Sequence, residues 1–195
     1  MTTVVEDRRV RRTKAALEHA MVELVVEQGY ESISIDALAA RADVTRATFY
    51  AHYPSKAALL TAVVDRFADQ VLEALAAAAG SNGPAGRLEV LLQQARASRD
   101  VLGIIVRGEG AGRPLRRLTE RVEQVIAADL AERVAHQGAT PRIDVSLLAR
   151  LRTAQVVAAV AWFVEHDDSD PADTAAAVNA ANERGWDWAA GLRSG

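Results

Sequence analysis

The chain has 195 residues, of which 50% are hydrophobic, and a formal net charge of −3. This length allows one large domain or two small ones with a buried core, and the net charge argues against a general nucleic-acid coat, which would be strongly basic. The chain contains no cysteine, which excludes disulfides, thiolate zinc sites and cysteine nucleophiles. Because aromatic residues are few and alanine recurs throughout, the composition favours an all-helical fold over a sheet.

The start of the sequence, MTTVVEDRRV, lacks an apolar segment of signal-peptide length. Later apolar runs such as TAQVVAAVAWFV are interpreted as buried helices, too short or too interrupted to span a membrane. The four histidines, at 19, 52, 136 and 166, follow no metal-binding spacing. We therefore expect a cytoplasmic protein without a metal or a cofactor.

The first half of the chain predicts four helices, over residues 9–28, 34–41, 45–53 and 55–79. Gly29 ends the first helix, because glycine tolerates positive φ. Ser34 and Thr45 are suitable N-caps for the second and third helices. Asp43 lies in the turn between these two helices, where aspartate tolerates the left-handed conformation.

The second half predicts five more helices, over residues 87–96, 99–106, 115–135, 145–165 and 170–190. Asp170 and Pro171 form an N-cap and first-turn pair for the last of them. The stretches SNGPAG and RGEGAGRP contain glycine and proline and predict loops. Within the second loop, Arg107 and Glu109 either hold a polar group of a ligand or face solvent.

Basic residues cluster near the start of the chain. Five Lys or Arg and no acidic residue lie between Arg8 and Lys14. Residues 1–56 nevertheless contain eight basic and eight acidic residues, so this segment is neutral overall. Any affinity for DNA must therefore come from a one-sided arrangement of charges.

The run SIDALAARADVTRATFYAHYPSKAALL, together with the helix before it, resembles the DNA-binding region of TetR-type transcriptional regulators. The resemblance covers about 50 residues and fixes several spacings at once, whereas the remaining chain matches only in length and helix count. It implies an all-α protein of nine helices in two domains. Residues 9–69 would form the helix-turn-helix domain, and residues 70–195 the effector-binding and dimerisation domain.

A recognition helix presents polar side chains from its first turn to base edges, while its other side packs on the domain. Arg46 can donate to guanine O6 and N7, whereas Val44, Phe49 and Tyr53 are interpreted as core. The residues predicted to contact DNA bases or phosphates are Thr13, Lys14, Ser34, Thr45, Arg46, Thr48, Tyr50, His52 and Lys56. Core or capping roles for His52, and a solvated coil for the basic segment, are the alternatives.

The resemblance also implies a homodimer through the eighth and ninth helices, with Trp186 and Trp188 as bulky anchors on the ninth. Two recognition helices on a twofold axis read a palindromic operator. An effector pocket would lie among helices four to eight, and its predicted lining consists of Phe67, Leu102, Ile105, Val122 and Trp162. Ordinary core packing is the alternative for each of these residues. The identity of the effector does not follow from the sequence.

The function predicted from these features is a ligand-responsive repressor that is not an enzyme. Effector binding would reorient the fourth helix and separate the two recognition helices. Two alternatives are an enzyme, such as a helical hydrolase, and a helical ligand-binding protein that has lost DNA binding. The first lacks a nucleophile motif, and the neutral charge of residues 1–56 is the best argument for the second.

Overall fold

The computed structural model describes residues 8–78, 84–166 and 168–182, together with residues 185 and 191. Within these residues it contains nine helices and no strand, so the prediction of an all-α fold is confirmed. The helices are α1 (Arg8–Gln28), α2 (Ile35–Arg41), α3 (Arg46–His52), α4 (Lys56–Ala78), α5 (Pro84–Ala97), α6 (Arg99–Val106), α7 (Arg113–Gln137), α8 (Val145–Glu165) and α9 (Pro171–Asn182).

Local capping chemistry sets several of these helix ends. Gly29 follows α1 with a φ of +77°, the conformation for which glycine was predicted there. The Ser34 hydroxyl accepts a hydrogen bond from the amide of Ala37 at 3.1 Å and so caps α2. Asp170 caps α9 through the amides of Ala172 and Asp173. The predicted boundaries at these positions are therefore confirmed.

Two helices begin earlier than the loop signals predict. Helix α5 starts at Pro84, inside the SNGPAG stretch, and α7 starts at Arg113 with Pro114 in its first turn. Proline is favourable there because the first amides of a helix have no intrahelical partner. The last part of the predicted ninth helix, with Trp186 and Trp188, lies outside the described residues.

The chain divides into two compact units. The first consists of the described residues up to Phe67 together with Asp100–Leu115, and the second of the described residues in 68–99 and 116–195. The predicted boundary after residue 69 lies close to the end of the first segment. Helix α6 and the loop after it, however, belong to the first unit and not to the second. The reason is packing: Ile104 of α6 is buried in the core of the first unit.

The core of the first unit is formed by the apolar faces of α1 to α4. Leu17 and Met21 of α1, Leu38 of α2, Phe49 of α3 and Leu59 of α4 are all completely buried. This arrangement holds α2 and α3 against α1, so the opposite side of α3 remains exposed. In the second unit, α5 packs against α8 and α9.

Helix α8 is apolar over much of its circumference. By length and composition alone it could cross a membrane, in contrast to our expectation from the interrupted apolar runs, and 22% of its most apolar window is buried. Such a single helix is weak evidence for a membrane span, because helices of soluble proteins pass the same test. The cytoplasmic location remains a prediction.

Candidate nucleic-acid interface and effector cavity

The turn between α2 and α3 is tight and depends on one residue with positive φ. Asp43 has a φ of +54°, as its position in the turn predicts. The amide of Val44 donates to the carbonyl of Ala39 at 2.9 Å and closes the turn. Because Phe49 is completely buried, α3 is fixed with its first turn on the surface.

The exposed first turn of α3 carries the polar side chains that the sequence predicts to contact DNA. The Thr45 hydroxyl caps the helix by accepting from the Thr48 amide at 3.1 Å, and the two threonine hydroxyls lie 2.8 Å apart. Arg46 is exposed, and the Tyr50 side chain, one turn later, is 46% exposed. Together these residues form a continuous polar face, which we call the recognition face.

The Arg46 side chain is bound within the protein. Its Nη1 donates to both oxygens of Asp36, at 2.8 and 2.9 Å, and its guanidinium lies 5.7 Å from the centre of the Tyr50 ring. The hydrogen bond to Asp36 raises the pKa of Arg46, and Tyr50 adds to the rise. No sequence pattern predicts this pair, because ten residues and a turn separate its two members.

A second pair of charged contacts joins α2 to α1. Arg41 donates to both carboxylate oxygens of Glu27, at 2.7 and 2.9 Å, and to Glu23 at 3.3 Å. These hydrogen bonds lower the pKa of Glu27 and raise the pKa of Arg41. Two acidic side chains of α1, Glu23 and Glu27, are therefore paired with a basic residue of the same protein. This pairing supports the one-sided arrangement of charges expected for a segment that is neutral overall.

A buried carboxylate lies beneath α3. Glu18 of α1 is 8% exposed and accepts a hydrogen bond from the Tyr53 hydroxyl at 2.9 Å. The Arg66 Nε lies 2.7 Å from the other Glu18 oxygen, an ion pair without hydrogen-bond geometry. The inward orientation expected for Tyr53 is therefore observed. Sequence reasoning missed Glu18, although its position three residues before Met21 places it on the buried face of α1.

The connector between α1 and α2, residues 30–33, is held from two sides. The Lys56 ammonium donates to the carbonyls of Tyr30 at 2.8 Å and Ile33 at 3.0 Å, and lies 4.3 Å from the centre of the Tyr30 ring. From the other side, Glu109 accepts from the Tyr30 amide at 3.1 Å. Lys56, predicted to contact phosphate, thus binds the connector, and Glu109 has a structural partner.

The remaining predicted DNA contacts lie on the same unit. Thr13 and Lys14 are half-buried residues within α1, which begins at Arg8, so the described basic segment is helical and not a coil. Ser34 is exposed at the start of α2, and His52 is half-buried in the last turn of α3. The first unit therefore contains all nine predicted contact residues.

The family model described as bacterial regulatory proteins, tetR family, matches residues 18–63. This range contains α2, the turn, α3 and the first residues of α4. Residues 18–63 are therefore similar to the DNA-binding region of TetR-family regulators. Regulators of this family are DNA-binding transcriptional regulators and not enzymes, so the hydrolase alternative is dropped.

Two HTH-type transcriptional regulators match parts of the chain. An uncharacterized regulator, YxbF of Bacillus subtilis, is 36% identical over 77 residues, which cover 39% of this chain and 20% of the relative. The regulator TcmR of Streptomyces glaucescens is 28% identical over 142 residues, covering 70% of this chain and 60% of the relative. The matches thus span less than two thirds of either relative.

The TetR fold extends over both units. A TetR-family regulator from Syntrophomonas wolfei matches with a TM-score of 0.75 at 17% identity, covering 89% of this chain and 94% of that one. At this identity the match establishes the fold. Members of the family bind DNA and small-molecule effectors and are dimers.

The second unit contains a cavity of about 200 Å³. Val122, one of the five predicted lining residues, lies on its wall. Phe67, Leu102 and Ile105 are instead buried and do not line it, and Trp162 is 46% exposed on α8. Of the helices with predicted lining residues, α4, α7 and α8 border the cavity, whereas α6 belongs to the first unit. The sequence pattern did not distinguish residues that pack closely from those that border a space.

Proposed function

We propose that this protein is a ligand-responsive repressor that binds a palindromic operator as a homodimer. The observation that carries the proposal is the recognition face of α3, whose polar first turn is exposed while Phe49 on the opposite side is completely buried. A helix held in this way can enter the major groove with its first turn against base edges.

The proposed DNA contacts divide into two groups. Arg46, Thr48 and Tyr50 face base edges, and Arg46 is the residue that reads guanine through O6 and N7. Thr13, Lys14, Ser34, Thr45 and His52 contact the phosphate backbone or the groove edge. Lys56 holds the connector in place, because its ammonium already donates to two connector carbonyls.

The homodimer is supported by an exposed apolar stripe on α8. Leu147, Leu151 and Trp162 are 48%, 45% and 46% exposed, and Ala154 and Ala158 are exposed between them. The spacing of three and four residues places these side chains on one face of the helix. Exposed alanines on α9 at 172, 176 and 180 offer a second surface for close helix packing. A second copy of the chain would bury both faces.

The proposed coupling runs through α4. This helix extends without interruption from Lys56 to Ala78, beginning in the first unit and continuing into the second. A helix transmits a displacement along its axis, so an effector bound in the second unit could change the position of α3 in the first. Effector binding is proposed to lower operator affinity in this way.

Fluorescence anisotropy with DNA from upstream of the gene tests the proposal. Wild-type protein should bind with an affinity that falls steeply with salt, and the protected site should be a palindrome. Arg46→Ala should weaken operator binding by about 1–3 kcal/mol per guanine contact and relax sequence preference. Arg116→Ala, an exposed arginine of α7 paired with Glu120, is the control. Equal effects of the two substitutions would contradict the assignment of the recognition face.

A further inference from the structure

A charged side chain lies within the apolar core of the first unit. Glu18 of α1 is buried, it follows Leu17 directly, and it lies three residues before Met21; both of these neighbours are completely buried. Burial removes the hydration of a carboxylate, and apolar side chains in place of a buried ion pair are often equally stable or more stable. Stability therefore does not explain a glutamate at this position, and its contacts indicate a different role.

The two carboxylate oxygens of Glu18 contact two other helices. Tyr53, the C-cap residue of α3, donates its hydroxyl to Oε1 at 2.9 Å. The Nε of Arg66, on α4, lies 2.7 Å from Oε2. One side chain of α1 thus connects the end of the recognition helix to α4. We call these three residues the Glu18 cluster.

The Glu18 cluster gives α4 a second attachment to the end of α3. The first attachment is covalent, because only two residues separate Tyr53 from Lys56, the first residue of α4. Arg66 lies about 15 Å further along α4, at 1.5 Å per residue. Two attachments determine the direction of a helix, whereas one allows it to pivot. Apolar packing is non-directional, so the polar contacts of the cluster are suited to fixing the angle between α3 and α4.

The two contacts of Glu18 differ in how readily they separate. The contact with Tyr53 is a buried hydrogen bond to a carboxylate. The contact with Arg66 is an ion pair without hydrogen-bond geometry, and the Arg66 side chain is 49% exposed. Solvent weakens an ion pair of an exposed guanidinium. A displacement of α4 would therefore separate Arg66 from Glu18 before it separates Tyr53.

We propose that Glu18 is a positioning residue, which holds α3 at the angle to α4 that operator binding requires. When α4 moves and Arg66 separates, the carboxylate loses its counter-charge inside the core. Because an unpaired buried charge is unfavourable, Glu18 then moves toward solvent and releases Tyr53. The inference rests on the proposed function, and it specifies the contacts through which α4 acts on the recognition face.

The first test follows the orientation of α3 without DNA. The chain contains three tyrosines: Tyr50 on the recognition face, Tyr53 in the cluster and Tyr30 in the connector. In the full chain labelled with 3-fluorotyrosine, fluorine NMR gives one resonance for each, assigned by substitution with phenylalanine. Arg66→Met should shift or split the resonances of Tyr50 and Tyr53 and leave that of Tyr30 unchanged. An unchanged Tyr50 resonance in the folded variant would overturn the inference.

Arg116→Met is the matched control for this measurement. It makes the same chemical change at an exposed arginine of α7, which pairs with Glu120 one turn away. All three fluorine resonances should stay unchanged in this variant. An equal change of the Tyr50 resonance in both variants would also overturn the inference, because the loss of any arginine would then have the same effect.

The second test separates positioning from stability. Glu18→Leu, Tyr53→Phe and Arg66→Met in one protein remove the buried charge together with its partners, so the urea midpoint should stay the same or rise. Operator affinity, measured by anisotropy, should nevertheless fall about tenfold, the effect of one charge-assisted hydrogen bond. Affinity for random duplexes and the salt slope should not change. A merely structural role predicts unchanged operator affinity in this folded variant.

Val25→Ala supplies the opposite control. Val25 is 2% exposed in the same core, so its truncation should lower the urea midpoint and leave operator affinity unchanged. If the triple variant does not fold, Tyr53→Phe replaces it, because this substitution removes a single hydroxyl. The same loss of operator affinity is expected, and unchanged affinity would overturn the inference.

The two tests distinguish failure of this inference from failure of the proposed function. If wild-type protein does not bind its upstream DNA but the Tyr50 resonance changes in Arg66→Met, the operator-binding function is overturned and the orientation of α3 by Glu18 is supported. If wild-type protein binds operator DNA and neither the resonance nor the affinity changes in the folded variants, only the positioning role is overturned.

Discussion

If Arg46 reads guanine as proposed, it must exchange one partner for another when the protein binds DNA. Its guanidinium is bound to Asp36 at 2.8 Å, so reading guanine requires either breaking this pair or sharing the donors. The pair lies on the surface, where solvent weakens such interactions, so breaking it costs little when the correct base replaces Asp36. For an incorrect base the pair remains the better alternative. We therefore expect Asp36 to contribute to specificity without contacting DNA.

Asp36→Asn should raise affinity for non-operator DNA by up to about fivefold per protomer, since it removes both a competing acceptor and a negative charge. Asp43→Asn removes the same charge from the turn and preserves its left-handed φ, so it controls for charge alone. Competition binding with operator and random duplexes measures the effect. The excess over Asp43→Asn should vanish in the Arg46→Ala background; persistence there would show that Asp36 acts independently of Arg46.

At the scale of elements, the connector between α1 and α2 determines how the helix-turn-helix is positioned. Residues 30–33 have few backbone bonds of their own, with the Ile33 amide donating to the Tyr30 carbonyl at 3.3 Å. Lys56 of α4 and Glu109 of the loop after α6 supply the others. The connector is therefore held by elements that lie far from it in sequence.

Lys56→Gln should lower the free energy of unfolding by about 1–3 kcal/mol, because it removes charged donors from buried carbonyls. The salt dependence of operator binding should stay unchanged. Lys14→Gln should reduce the log–log salt slope by about one unit per protomer, because it removes the proposed phosphate contact. Urea unfolding and anisotropy at several salt concentrations measure the two effects. A reduced salt slope for Lys56→Gln would instead support the phosphate contact that the sequence predicts for Lys56.

For the whole molecule, the decisive surface is the exposed stripe of α8. Three large apolar side chains on one helix face, each nearly half exposed, are unfavourable in water and are typical of an interface. A twofold dimer through this stripe would bury Leu151 of both copies in the same interface. The same dimer would set the spacing of the two recognition faces.

Leu151→Glu should shift the protein toward monomer and abolish cooperative binding to a full palindrome, because two carboxylates would be buried together. Val26→Glu introduces the same charge at a 51% exposed position of α1 and should leave the dimer intact. Sedimentation velocity measures the oligomeric state of each variant. An unchanged dimer in Leu151→Glu would place the interface elsewhere.

Local signals in the sequence were sufficient for the helices and for the position of the recognition face. Gly29, Ser34, Thr45 and Asp170 act within a few residues of themselves, so their capping roles follow from order along the chain. The long run of matched spacings around α2 and α3 likewise identified the family.

Only the tertiary structure decided which partners meet across distance. The Arg46–Asp36 pair, the attachment of Lys56 and Glu109 to the connector, and the membership of α6 in the first unit all join residues on different elements. The same holds for the cavity, where α7 borders a space while Leu102 and Ile105 are tightly buried. Helical periodicity shows which face of a helix is apolar, but the packing of neighbouring helices determines what that face meets.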